Sequence, residues 1–142
     1  MVTNKQQQQP DIFRADCLSR STLQLIASEW TPLVVFALEE GTLRFSQLLK
    51  RIDGISTKML TQTLRAMERN GLVQRVVHPV VPPVVEYSLT PLGQALVEPV
   101  HMLQSWAYEH LEEVARARMA YDQVDHPPIQ EETMTRVQQR EQ

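Results

Sequence analysis

Lys58, Gln62, Arg65 and Arg69 recur at spacings of three and four within Ser56 to Gly71, STKMLTQTLRAMERNG. At about 100° per residue these side chains share one side of a helix, while Leu60, Leu64 and Met67 form the opposite stripe. Ammonium and guanidinium groups donate to phosphate oxygens and to guanine edges, and a glutamine amide matches an adenine edge, so the polar side has the chemistry of a nucleic-acid surface. Ser56, Thr57, Lys58, Thr61, Gln62 and Arg65 are the candidates for base edges; Arg44, Arg69 and Arg75, with His78, are candidates for phosphate or minor-groove contact. A solvated basic face is the competing reading for such a helix taken alone.

Cys17 is the second reactive group and the single cysteine of the chain. At a helix N-terminus the backbone dipole favours a thiolate, which Arg14 and Arg20 would assist and Asp16 oppose. Its oxidation could yield only a disulfide between two copies or a mixed disulfide with a small thiol. The alternative is a small buried hydrophobe.

The elements that must hold these groups follow from caps and periodicity. Cys17 to Ser28 fits an amphipathic helix through Leu18, Leu25 and Ile26, and Thr31-Pro32 reads as a cap followed by proline, starting a mostly buried helix that Gly41 ends. Thr42 to Phe45 suits a very short strand and Ser46 to Ile52 a helix, with Asp53-Gly54-Ile55 as the turn into the cationic helix. Ser56 caps that helix and Asn70-Gly71 stop it. The period then changes to two: Val73 to His78 and Val84 to Leu89 form a hairpin whose tip holds Pro79 and Pro82-Pro83. Thr90-Pro91 opens a long helix carrying Leu92, Leu96, Val100, Leu103, Ala107, Leu111 and Val114, with a kink expected at Pro99. So long an apolar stripe exceeds what one small domain covers, which predicts a partner helix from a second copy. Leu18, Leu96, Val100, Leu103, Trp106, Ala107, Leu111 and Val114 are the expected dimer contacts.

Composition bounds what else the chain could be. Its 142 residues allow one domain with tails: a mobile arm over 1–13, a DNA-binding and dimerisation domain over 14–120 and a polar tail or loosely packed helix over 121–142. The net charge of -3 is unevenly spread, since residues 91–142 hold four basic and nine acidic side chains while Gly41 to Pro79 hold seven basic and two acidic ones. Positive charge is concentrated where the cationic helix lies. No apolar run approaches the roughly 20 residues of a membrane span, and MVTNKQQQQP lacks a signal-peptide core, so a cytoplasmic protein without membrane contact is expected. Trp30, Phe36, Phe45, Trp106 and Tyr108 are candidates to line an effector pocket, although aromatics at helical spacing are more often core. His101 and His110, nine apart, make no metal pair, and His78 and His126 are isolated. With no P-loop, GxSxG or CxxC, neither catalysis nor a cofactor or metal is expected.

This order of pieces, with Cys17, Trp30-Thr31, Arg44-Phe45, Gly54-Ile55-Ser56, Gly71-Leu72-Val73, Pro82-Pro83, Val85-Glu86-Tyr87-Ser88-Leu89-Thr90 and Gly93, resembles the HxlR-type bacterial regulators, relatives of the MarR group. The likeness covers roughly residues 17 to 115. It implies a mainly α winged helix-turn-helix with a small β wing and extra terminal dimerisation helices. It further implies a homodimer that binds double-stranded DNA, with the helix 56–70 in the major groove and the wing 73–89 beside it. Several members sense oxidants or electrophiles through a cysteine placed like Cys17. The alternatives are a winged helix used only for protein contact and an effector-binding module with weak DNA affinity.

Overall fold

In a computed structural model, which describes residues 10–126, the elements run α1 (Leu18–Ile26), α2 (Thr31–Glu39), β1 (Leu43–Arg44), α3 (Phe45–Arg51), α4 (Thr57–Arg69), β2 (Val73–His78), β3 (Val84–Leu89), α5 (Pro91–Ala95), α6 (Val97–Glu109) and α7 (Leu111–Asp122). The chain divides into two units between Leu103 and Gln104, inside the stretch expected to be one domain. Most of the expected arm and tail, residues 1–9 and 127–142, lies outside the described residues.

The first unit is a winged helix. Its sheet has the order β1-β3-β2, antiparallel throughout, with Leu43 opposite Tyr87 and Val73 opposite Leu89. One sheet face therefore carries Val73, Arg75, Val77, Val85, Tyr87 and Leu89, as the period of two requires. That face and the helices close over Val34, Val35, Leu38, Leu48, Leu60, Leu64 and Met67, all buried. Burying each of the leucines contributes roughly 1.5–3 kcal/mol.

Helix α4 begins and ends where its caps dictate. The Ser56 hydroxyl accepts the Met59 N–H at 3.0 Å. At the other end Gly71, at φ 74°, turns the chain so that Leu72 N–H reaches the Met67 carbonyl (2.9 Å) and Gly71 N–H reaches that of Glu68 (3.0 Å), closing the last turn. Glycine adopts this left-handed backbone without a Cβ penalty.

Two expectations about helix ends change. Thr31 does not cap α2: it is the first helical residue, fully buried, and Ser28 Oγ lies 2.9 Å from its hydroxyl and 3.4 Å from its N–H. A serine three residues upstream thus satisfies both groups. Nor is the stretch after Pro91 one helix kinked at Pro99; it breaks at Leu96 and again at His110. Proline cannot donate to the carbonyl four residues before it, so the interruption falls ahead of Pro99, which then occupies the harmless first turn of α6. At the second break both the N–H of His110 (3.1 Å) and its Nδ1 (2.9 Å) converge on the Trp106 carbonyl, with the imidazole stacked on the indole at 4.7 Å.

Candidate nucleic-acid interface

Helices α3 and α4, joined by a turn in which Ile52 and Ile55 are buried, present the exposed side of α4 with its apolar stripe locked inward. Ser56, Thr57, Lys58, Gln62 and Arg65 are exposed and Thr61 half-buried, so the base-reading candidates of the sequence are all at the surface, as is the phosphate candidate Arg69. Two of its hydroxyls already have structural work. Ser56 is the cap, and Thr61 donates to the Thr57 carbonyl at 2.8 Å, leaving its oxygen lone pairs for an incoming donor. Met59, exposed in the first turn between Lys58 and Gln62, was missed. An apolar residue off the Leu60-Leu64-Met67 stripe was the available signal.

The flanking cations divide into two places. Arg44 is the N-cap residue of α3, its N–H held by Gln47 Oε1 at 2.8 Å and its side chain exposed. Arg75 sits opposite Tyr87 and lines, with Phe45, Thr57, Thr61, Leu64, Arg65 and Glu68, a cleft of about 560 Å³ between α4 and the hairpin. It is therefore a cleft residue rather than one at the wing tip. His78 is at the base of the tip, where its Nε2 pairs with Glu86 Oε2 at 3.0 Å across the strands. A phosphate contact from His78 has to compete with that carboxylate. Beyond it Val80 and Val81 are exposed, and the tip carries no charge between His78 and Glu86.

Around Cys17 the chain is tied before the helix starts. Phe13 N–H donates to Asp11 Oδ1, Cys17 N–H to the Arg14 carbonyl, and the Arg20 guanidinium to the Phe13 carbonyl at 2.9 Å. Arg14 grips Asp16 through two 3.0 Å hydrogen bonds, which hold that carboxyl below the usual range and raise the guanidinium above it. Both cations expected to assist the thiol are thus engaged elsewhere, and the half-buried Cys17 stands as the N-cap residue of α1.

The expected dimer contacts separate into two groups. Val100 is 1 % exposed and so is covered within its own chain rather than open to a second copy, and the half-buried Leu96 packs on the core. Leu18, Leu103, Trp106, Ala107 and Leu111 are exposed, and Val114 is half-buried. The five aromatics likewise have distinct surroundings. Trp30 and Phe45 pack against the core, and Phe36 lies 5.1 Å from the His101 ring; Trp106 and Tyr108 are exposed. Among the described residues no group of His, Cys, Asp and Glu is arranged to hold a metal ion, and no single helix is long and apolar enough to cross a membrane.

Comparison with known proteins agrees with this geometry. Residues 25–115 match the family model described as HxlR-like helix-turn-helix. The HTH-type transcriptional regulator YtfH of Escherichia coli K12 is 45% identical over 115 residues, which cover 81% of this chain and 91% of that one. The solved structure of the regulator YtfH of Salmonella typhimurium superposes with a TM-score of 0.72 at 44% identity, covering 78% of this chain and 98% of that one. The redox regulator HypR in its oxidized form gives a TM-score of 0.60 at 34% identity, covering 66% and 96%. The order of elements, the capped cationic helix and these likenesses have one meaning: the chain belongs to the HxlR-like helix-turn-helix family, MarR-like winged-helix DNA-binding transcription regulators.

Proposed function

We propose that this regulator binds an inverted-repeat operator as a homodimer, as a repressor, placing α4 in successive major grooves whose half-site centres lie about one helical turn apart. The observation that carries the reading is the surface of α4: Lys58, Gln62, Arg65 and Arg69 exposed together above a fully buried stripe of Leu60, Leu64 and Met67. Double-stranded DNA and a second copy of the chain are the partners, and the exposed Leu18, Leu103, Trp106 and Leu111 are candidates for the contact between copies. Selection of bound fragments from random duplex DNA should return a palindromic consensus; fragments without any consensus would refute it.

Within that operator the side chains have separable effects. Gln62→Ala or Lys58→Met should relax discrimination at one base pair per half-site by about 1–3 kcal/mol. Arg69→Gln should weaken all duplexes alike and reduce the salt slope by about one unit. Measuring affinities for consensus and scrambled duplexes over a salt series separates the two behaviours. If both substitutions weakened all sequences equally, α4 would not be reading bases.

Cys17 supports an oxidant response within this reading, because it begins a helix and has a place in a fold shared with a redox regulator. Diamide would take two electrons and two protons from two thiols, either from Cys17 of two copies or from Cys17 and a small thiol. Operator affinity should then change by on the order of tenfold, the usual scale of coupling between sites. Cys17→Ser should abolish the change, and a parent protein whose affinity is unaltered after complete thiol oxidation would eliminate the sensor.

A further inference from the structure

The hairpin tip is apolar where the rest of the candidate interface is cationic. Val81 is fully exposed and Val80 is 52% exposed, and no charged side chain stands between His78 and Glu86. Glu86, the carboxylate nearest the tip along the chain, is held on the strands by His78 Nε2 at 3.0 Å. Backbone donors are scarce at the tip as well. Pro79, Pro82 and Pro83 have no N–H, and that of Val80 donates to the His78 carbonyl at 2.9 Å, so Val81 carries the one donor left over residues 79–83. A phosphate is held by a cation or by several convergent N–H groups, and this tip offers neither. It presents instead two branched, apolar side chains on a loop in which three residues of five are proline, which stiffens it.

We propose that Val80 and Val81 enter the minor groove next to the major groove occupied by α4, and select A·T over G·C pairs there by excluding the guanine 2-amino group. The reach is sufficient. Arg75 borders α4 across the cleft, and three further residues of β2 carry the tip roughly 10 Å beyond it, at about 3.3 Å each. Together with the half-width of a helix, about 5 Å, this approaches the half turn of about 17 Å that separates neighbouring grooves. In the minor groove an A·T pair shows only acceptors on its floor, whereas a G·C pair adds the N2 amino donor. That amino group projects into the middle of the floor. Methyl groups that settle on A·T are held off G·C, where they would also strip water from a donor and give it no acceptor. Apolar side chains inserted into minor grooves are a recurrent device of DNA-binding proteins. This inference rests on the DNA-binding reading and adds to it a discrimination that neither α4 nor the flanking cations supply.

Fluorescence-anisotropy titration of the full chain tests it, using the palindrome obtained by selection. The pairs about half a turn to either side of each half-site centre are made A·T, G·C, inosine·C or diaminopurine·T in four separate duplexes. Inosine lacks the 2-amino group of guanine, and diaminopurine adds that group to an A·T-type pair. The parent should bind the A·T and inosine·C duplexes alike, and the G·C and diaminopurine·T duplexes about tenfold more weakly, on the scale of one unfavourable pair. Val80→Ser combined with Val81→Ser, at positions open to water, should keep the fold and bring all four duplexes to the weaker affinity. Equal affinities in the parent, or a preference for G·C, would overturn the proposal. A preference that survives in the double variant would overturn it as well, because groove shape rather than the tip would then set it. Tight binding with indifferent flanks would leave the reading of α4 intact. A chain that bound none of the four duplexes would refute the DNA reading and this proposal with it.

Discussion

Gly93→Ala should destabilise the chain by about 3 kcal/mol or more, beyond the usual cost of one excess methyl in a packed interior. A Cβ at Gly93 would lie 2.1 Å from the Leu72 carbonyl oxygen and 3.1 Å from its carbon, both backbone atoms. Neither side can retreat. Leu72 O accepts the Thr90 N–H at 3.1 Å, the Thr90 hydroxyl donates to Gly71 O, and the same hydroxyl accepts the Gly93 N–H at 3.1 Å. These bonds fasten the start of α5 to the end of α4, so moving Gly93 away breaks the connection that fixes the wing beside the DNA-reading helix. The cost is steric, because Gly93 does not have the positive φ of the other three glycines. Denaturant or thermal unfolding checks the result: a loss of this size should lower Tm by more than about 10 °C in a domain near 100 residues. A Tm within two or three degrees of the parent would mean the junction yields easily, about 0.5 kcal/mol or less by the same conversion. Folded Gly93→Ala protein should also bind DNA more weakly, since α4 and the hairpin would no longer hold one geometry.

That junction was only partly legible in the sequence. Thr90-Pro91 announced a helix start, and Thr90 does cap α5 through the Gly93 N–H. Its second bond, to a carbonyl 19 residues earlier, has no periodicity to betray it. Helix α4 was legible because its information is local: a hydroxyl three residues before the N–H it accepts from, a glycine just past the end and an apolar stripe at helical spacing. The long stripe from Leu92 to Val114 misled for the opposite reason. A repeat of three and four residues continues unaltered across a broken backbone, so it could not reveal that Leu96 and His110 interrupt the helix or that Val100 faces inward. Of the candidate site, the identities on α4 were readable, whereas the burial of Tyr87 and the placing of Arg75 beside Arg65 depend on strand register, which only the folded sheet determines. A single residue of slip would send both side chains to the other face.

Leu103→Asp should convert the regulator to a monomer and reduce operator affinity by at least about a hundredfold. Leu103 is 61% exposed in the single chain and Trp106, three residues on, is 57% exposed. In the monomer an aspartate at that position meets water, so its cost to folding should stay within about 0.5 kcal/mol. In a twofold contact it enters twice, because symmetry presents the same patch from each copy, and each carboxylate has to be dehydrated on entering it. The expected loss of DNA affinity follows from linkage. A dimer binds its second half-site as an intramolecular event at a high effective concentration, and a monomer forfeits that advantage without losing one contact of α4. Sedimentation equilibrium should show the parent as a dimer and Leu103→Asp as a monomer with unaltered circular dichroism. Affinity for an isolated half-site should be the same in both proteins, while affinity for the full palindrome should collapse only in the variant. If Leu103→Asp remained dimeric and bound the palindrome as the parent does, this exposed face of α6 would not be where two copies meet. If it became monomeric yet kept full affinity, α4 would be acting alone, and the two-groove arrangement would be wrong.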